Sequence, residues 1–402
     1  MLYVLKFGGS SVADAEKIRR VAGIVTEVYC EGHDVVAVVS AQGDTTDELI
    51  AKAEEINPRP SKRELDVLLS TGEQIAAALT AMALEKIGLP VVSLTGRQIG
   101  INTNSAYGAA EIKSISEERI KNELDRRRIV IIAGFQGVNK FDDITTLGRG
   151  GSDTTAVAVA AALHADKCLI YTDVEGIYTA DPRKVQGARK LEEITYDEML
   201  ELASLGAQVL HNRSVEMAKR YGICIEVRST CTGAPGTIVK EVVKPVEEMK
   251  ISGIAKDGDV ARIAVLGVPD EPGMAFKLFR ALAKAKINVD IILQSYGKDG
   301  TNDISFTVAE SDVKDAEEVM ENCRELIGFD HLSVNTDVAK VSIVGAGMIR
   351  SSGIAAMMFE ALYDAKINIH MISTSEIKIS VLIDEERADT AVSAIHGKFF
   401  GN

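Results

Sequence analysis

The sequence predicts an α/β chain in two parts: a large, mostly parallel sheet covered by helices on both faces, then two small βαββαβ domains of ferredoxin-like plan. Three observations predict it. Short β-rich apolar runs alternate with helical patterns through residues 1–240. A charged, proline-containing stretch at residues 240–250 then interrupts the alternation, as a linker would. Beyond it a pattern recurs: ALAKAKINVD at 281–290 and ALYDAKINIH at 361–370 share six of ten positions, eighty residues apart.

Taken in order, the expected strands are the apolar runs at residues 3–7, 35–39, 91–94, 129–133, 168–172 and 224–228, with helices between them at 14–29, 74–87 and 153–163. Ligands bind such a sheet at the carboxyl ends of its strands, where the turns carry glycine and small polar residues. Around the repeat, Gly273 matches Gly353, Phe279 matches Phe359, and Ser295 matches Ser375. DISFTV (303–308) and KISVLI (378–383) then occupy equivalent places. The first copy has a fourth strand available at residues 331–337, whereas the second nearly runs out of chain after its second helix. KISGIAK, residues 250–256, is therefore the expected missing strand, which makes the first small domain an insertion within the second. The expected domains are 1–240, a linker and donated strand at 241–260, and small domains at 261–337 and 338–402.

Bulk properties narrow the function. A chain of 402 residues that is 46% hydrophobic exceeds the usual single-domain size. It has no run of eighteen apolar residues, so no membrane span is expected. Its opening MLYVLKFGGSS carries the lysine after the apolar stretch and reads as a core strand, not a signal peptide. The net charge of −14 argues against a nucleic-acid or anionic-membrane binder. It leaves phosphate binding open, because a local group of cations and backbone N–H groups can hold ATP inside an acidic protein. Five cysteines without CxxC spacing suit a reducing cytoplasm. Six scattered histidines without HExxH give no expected metal site.

Three motifs carry chemistry. In VLKFGGSSV a strand ends at Lys6-Phe7-Gly8-Gly9 and a helix follows Ser10-Ser11. Adjacent glycines admit a phosphate to the backbone, and Lys6 can balance the charge of a phosphoryl group in transit. A tight βα turn with a solvated lysine is the plain alternative. In TTLGRGGSDTTAVAVAAAL (145–163), Arg149 precedes a glycine turn, and Ser152 or Asp153 caps an alanine-rich helix. An arginine fork beside a helix start is a good receptor for carboxylate or phosphate, against the plainer reading of a structural cap. In IYTDVEGIYTADPRKV (170–185), Thr172-Asp173 end a strand, Tyr178 offers a ring, and Asp181-Pro182-Arg183-Lys184 offer charge. That set suits a nucleotide, although a surface loop with a proline turn would look the same in isolation. The chain has no GxxxxGK[ST] and no protein-kinase signature set. VGAGMIRSSG (344–353) lacks the third glycine of a dinucleotide fingerprint and belongs to the second repeat.

These residues resemble the aspartate kinases of the amino-acid kinase superfamily, essentially from end to end. The resemblance rests on KFGGSSV (6–12), VVSAQGDTTDEL (38–49), STGEQIAAALTAMAL (70–84), TTLGRGGSDTTAVA (145–158), YTDVEGIYTADPR (171–183), LASLGAQVLHNRSVEMA (202–218) and tandem domains that look like ACT domains. Ser10 stands where threonine is common in the family and keeps the hydroxyl. The resemblance implies ATP, with Mg²⁺, as cosubstrate and L-aspartate as acceptor, yielding ADP and 4-phospho-L-aspartate at the head of lysine, threonine and methionine synthesis. It implies no tightly bound organic cofactor. It makes Lys6, Asp153 and Arg149 catalytic, and places Gly8, Gly9, Ser10, Thr172, Asp173, Tyr178, Asp181, Arg183 and Lys184 on the nucleotide. Ser40, Thr46, Glu73, Arg149, Gly150, Gly151 and Ser152 would hold aspartate, with Glu73 on its ammonium and Arg149 on a carboxylate. No base is needed, since the attacking carboxylate is already ionised at neutral pH.

The ACT-like pair implies feedback by lysine, threonine or both, and a homo-oligomer formed through these domains. The expected effector residues are Asp270, Gly273, Met274, Ala275, Asn288, Asp290 and Gln294 in the first copy, and Met348, Asn368, Ile369, Ser375 and Glu376 in the second. Ordinary turn and strand polarity is the competing reading of each. Two other functions compete for the whole chain. One is a kinase of N-acetylglutamate, glutamate or carbamate, which the GDTTDEL segment and the tandem repeat oppose. The other is a non-catalytic sensor, which the joint presence of Lys6, Glu73, Arg149 and Asp153 opposes.

Overall fold

The computed structural model describes residues 1–206, 209–243, 251–297 and 300–401. The chain divides into two compact units, one formed by residues 1–178, 190–204 and 209–243, the other by the remaining described residues.

The first unit opens with β1 (Leu2–Phe7), α1 (Ala15–Cys30), β2 (Asp34–Val39), α2 (Thr45–Ile56) and α3 (Lys62–Lys86). It continues through β3 (Val91–Leu94), β4 (Asn102–Thr103), β5 (Ile112–Ser114), α4 (Glu118–Leu124), β6 (Ile129–Ala133), β7 (Gln136–Val138) and β8 (Ile144–Thr146). It closes with α5 (Gly151–Leu163), β9 (Lys167–Thr172), β10 (Glu193–Thr195), α6 (Tyr196–Ser204), α7 (Asn212–Tyr221), β11 (Ile225–Ser229) and β12 (Thr237–Lys240).

Eight strands form one sheet in the order β10-β12-β11-β9-β1-β2-β6-β3. Every neighbouring pair is parallel except β11 and β12. Because β1, β2 and β6 lie inside the sheet, they read as continuous apolar runs and not as alternating ones. Leu5, Phe7, Val39 and Ile131 pack with Val21 and Val25 of α1 and Ala76 and Leu84 of α3 in the core over one face. The mostly parallel α/β architecture expected from the alternation is the observed one, and each of the six expected strands is present.

Three helix starts differ from expectation: α5 begins at Gly151 with the left-handed Gly150 as its N-cap, so Ser152 and Asp153 lie in its first turn and do not cap it. Asp14 is the N-cap of α1 and lies outside it, its carboxylate accepting from the N–H groups of Glu16 and Lys17 at 2.9 Å. Helix α3 begins at Lys62, twelve residues before the expected start. Ser61 caps it and Glu64 stands three residues on, a capping-box pair that the polar look of Lys62-Arg63-Glu64 disguises. By length and composition α3 could cross a membrane, but half of its apolar window is buried within the protein, as in the core helix of a folded domain. Strands β4, β5, β7 and β8 make a second small sheet in the order β5-β4-β7-β8.

The second unit contains β13 (Gly253–Asp257), β14 (Ala261–Pro269), α8 (Met274–Lys284), β15 (Ile292–Tyr296), β16 (Thr301–Val308), α9 (Val313–Asn322), α10 (Arg324–Ile327) and β17 (His331–Asn335). The second copy follows as β18 (Val338–Val344), α11 (Ile354–Asp364), β19 (Met371–Thr374), β20 (Lys378–Asp384) and α12 (Ala388–Phe400). The two antiparallel sheets run β15-β16-β14-β17 and β19-β20-β18-β13, the same strand order in both copies. Their backbones repeat too, with positive φ at the equivalent residues Lys286 (62°) and Lys366 (55°). In the second sheet β13 is the fourth strand, pairing antiparallel with β18 from Gly253–Val344 to Asp257–Lys340. Residues 244–250 of the expected linker lie outside the described residues.

Residues 179–189 also belong to the second unit. Ala180 and Val185, 3% and 4% exposed, pack in its core with Ile254, Ala391, Val392 and Ile395. Thr179 anchors the segment. Its carbonyl accepts from the Ile254 N–H at 2.8 Å, and its hydroxyl lies 2.9 Å from His396 Nε2. Burial, and then the Arg189 charge, push the His396 pKa below its usual value.

Candidate active site

Of the expected site residues, Lys6, Gly8, Ser40, Thr172 and Asp173 lie at the carboxyl ends of β1, β2 and β9. Lys6 stands in register between Val38 of β2 and Ile170 of β9. Its Nζ lies 2.5 Å from Asp153 Oδ1 in the first turn of α5, and both side chains are 11% exposed. The ammonium is thus held on a short tether at a helix N-terminus, where the macrodipole favours added negative charge. The turns after β1 and β2 approach closely. A Cβ on Gly9 would fall 2.7 Å from the Ala41 carbonyl oxygen, so only glycine fits there. The N–H of Gly8 donates to the Tyr171 carbonyl at 3.3 Å, and Ser10 is exposed.

Glu73 stands on the buried face of α3 and is 4% exposed. Its Oε1 accepts from the Ala41 N–H at 3.1 Å, while Oε2 has no hydrogen-bond partner among the described residues. Burial raises its pKa to about 7, against the opposing pull of the Ala41 bond. Ser40 follows β2 and donates its N–H to the Phe7 carbonyl at 3.1 Å, and Thr46 lies half-buried in the first turn of α2. Arg149 is exposed and has no ion-pair partner among the described residues. It leads into Gly150, left-handed at φ 66° and against His211, whose ring and Cβ would meet any side chain at that position. Gly151, Ser152 and Asp153 follow, all buried in the start of α5.

Thr172 and Asp173 extend from the end of β9, the threonine hydroxyl donating to the Asp173 carboxylate at 2.9 Å. Tyr178 is half-buried and bridges to Lys190, and burial raises its pKa. The remaining members of the third motif lie in the second unit. There Asp181 accepts from Arg183 through both carboxylate oxygens at 3.0 Å, which lowers its pKa, and Lys184 lies 3.2 Å from Asp389.

The expected effector residues also lie in the second unit. Asp270 accepts from Asn302 Nδ2 at 2.8 Å, Gly273 caps α8, Met274 is buried and Ala275 half-buried. Asn288 is exposed, as is Gln294 on the edge strand β15. Asp290 already holds an ammonium from its own chain, that of Lys340 at 2.5 Å. Lys340, in the second copy, also reaches Asp257 at 3.1 Å. Desolvation pushes its pKa down, but the two carboxylates outweigh it and hold the pKa above the usual value. In the second copy Met348 and Ile369 pack against the core, and Asn368 and Glu376 are exposed. Ser375 donates its N–H to the Lys378 carbonyl at 2.7 Å. No group of three His, Cys, Asp or Glu residues suited to a metal ion occurs among the described residues.

The sequence motifs assign no role to three residues of this region, His211, Arg213 and Asp66. The last had a legible signal. It precedes Glu73 by seven residues, two helical turns, and so shares its face once the helix starts at Lys62.

A mostly parallel sheet with glycine turns at its carboxyl edge, beside a lysine–aspartate pair, is the architecture of an amino acid kinase, here joined to a pair of ACT domains. Known proteins agree. The amino acid kinase family matches residues 1–229, and the ACT domain matches residues 263–323 and 341–399. An aspartokinase of Mycolicibacterium smegmatis is 51% identical, over 99% of this chain and 96% of the relative. Escherichia coli aspartokinase III in complex with aspartate and ADP, in its R-state, superposes with a TM-score of 0.83 at 27% identity, covering 100% of both chains. The same enzyme with lysine and aspartate, in its T-state, gives 0.77 at 27% identity, covering 99% of both. The chain belongs to the aspartokinase family and is an aspartate kinase.

Proposed function

We propose that this aspartate kinase carries the γ-phosphoryl group of ATP, delivered as its Mg²⁺ complex, to the side-chain carboxylate of L-aspartate at the carboxyl edge of β1, β2 and β9. The observation that carries the reading is the Lys6–Asp153 pair at 2.5 Å, set at a helix N-terminus beside Gly8 and Gly9. Lys6 neutralises charge on the transferring group, Asp153 orients Lys6, and the N–H groups of Gly9 and Ser10 donate to phosphate oxygens. Gly8, whose own N–H is held by the Tyr171 carbonyl, lets the phosphate approach the backbone. Thr172, Asp173 and Tyr178 hold the rest of the nucleotide. Glu73 receives the α-ammonium of aspartate and Arg149 a carboxylate, with Ser40, Thr46, Gly150, Gly151 and Ser152 between them. The carboxylate attacks already ionised, so catalysis is positioning plus charge stabilisation.

The ACT pair, residues 261–337 and 338–402 with a strand from 241–260, binds an inhibitory amino acid, lysine or threonine, and joins copies of the chain. The exposed edge strand β15, with Ile292, Leu293 and Tyr296 open to solvent, supports the assembly role. The five free cysteines support a cytoplasmic setting. Lys6→Ala tests the core of the reading: kcat should fall by roughly 10²–10³-fold with an unchanged circular dichroism spectrum. Wild-type turnover in that variant would remove Lys6 from the mechanism.

A further inference from the structure

Glu73 and Arg149 sit on different elements, α3 and the turn between β8 and α5, and are far apart in sequence. Aspartate is small and stiff, so a site that grips both its ammonium and a carboxylate needs those two elements at a fixed separation. Two side chains to which the motifs assign no role fix it. Asp66, 1% exposed, projects from α3 two turns before Glu73. Its Oδ2 accepts from the N–H groups of Thr146 at 2.9 Å and Gly108 at 3.0 Å, and its Oδ1 accepts from the Thr146 hydroxyl at 2.7 Å. Thr146 ends β8, three residues before Arg149. From α7, Arg213 donates through one nitrogen to the Leu147 carbonyl and through the other to the Ala110 carbonyl at 2.8 Å. Ala110 in turn donates its N–H to the Thr146 carbonyl at 2.8 Å.

The root of the arginine turn, Thr146-Leu147, is therefore held from two sides. A buried carboxylate ties it to the helix of Glu73, and a guanidinium fork ties it to α7. Both groups spend these bonds inside the protein, so neither is a substrate contact. We propose that Asp66 and Arg213 are positioning residues that set the separation of Glu73 and Arg149, and with it the enzyme's affinity for aspartate. The proposal rests on the reading that those two residues hold aspartate.

The test is steady-state kinetics of Asp66→Ala, Asp66→Asn, Arg213→Ala and Arg213→Lys, with Glu73→Gln and Arg149→Lys as references. Asp66→Ala and Arg213→Ala should raise the KM for aspartate on the order of 10- to 100-fold, and leave the KM for ATP within about two-fold. Asp66→Asn keeps an oxygen for the two N–H groups and can donate to the Thr146 hydroxyl, so it should recover most of the affinity. Arg213→Lys, with no fork, can hold one carbonyl and should fall between. An unchanged aspartate KM in the folded alanine variants, or equal rises in both KM values, would overturn the proposal. If Asp66→Ala does not fold, Arg213→Ala reads the same quantity from the other side. Should the reference variants themselves leave the aspartate KM unchanged, the assignment of Glu73 and Arg149 fails first, whatever Asp66 and Arg213 do.

Discussion

Glu73 is the residue whose environment makes the sharpest demand. A carboxyl buried at 4% exposure, with one oxygen unpaired among the described residues and a pKa raised to about 7, is costly to ionise. The sign follows from the direction. Its folded pKa stands above the ordinary 4.5, so the fold binds the extra proton. This group's contribution to stability is retained below the ordinary value and lost as pH rises through about 7. An arriving ammonium reverses the preference by favouring the carboxylate. The KM for aspartate should therefore fall as pH rises from about 6 to about 8, and Glu73→Gln should raise that KM and flatten its pH profile. A wild-type aspartate KM that does not change over this range would contradict the role. Lys6, Gly8, Gly9, Arg149 and Asp153 are legible in sequence because their glycine turns and helix start have local signatures. Arg213 is not, and of Asp66 only the helical spacing from Glu73 is, because the groups these two hold are remote in the chain.

Among the elements, the segment from 179 to 189 departs most from its motif. Read locally, TADPRKV continues a nucleotide loop. In the fold its apolar residues Ala180 and Val185 complete the core of the second ACT copy beside the buried Thr179, and Arg183 and Lys184 turn outward. Alternation of buried and exposed positions is there in the sequence, but nothing local says which core receives the buried ones. Val185→Ala should cost about 2 kcal/mol in urea unfolding, as truncation of a core side chain does. The neighbouring exposed Gln186→Ala should stay within about 0.5 kcal/mol. Equal and small effects would show that the segment is only laid on the surface. Helix α3 teaches the same lesson in a different form, since its polar first turn hides a start that only the Ser61–Glu64 pair reveals.

At the scale of the whole molecule, the class of fold and the duplication were open to sequence because both are periodic. Strand–helix alternation specifies a covered parallel sheet, and the eighty-residue recurrence reappears as identical strand orders and matching left-handed residues at Lys286 and Lys366. Other links between distant residues were not legible, such as the Lys340 ammonium shared by Asp257 and Asp290, because they join residues with no common pattern. The central claim is phosphoryl transfer to aspartate at the Lys6–Asp153 end of the sheet. Its most direct test is ADP release by the wild-type chain with MgATP and L-aspartate, L-glutamate or N-acetyl-L-glutamate, each with and without lysine and threonine. The account predicts turnover with L-aspartate alone, suppressed by at least one of the two effectors. Turnover that prefers either glutamate compound, or none with any acceptor from a folded sample, would contradict it.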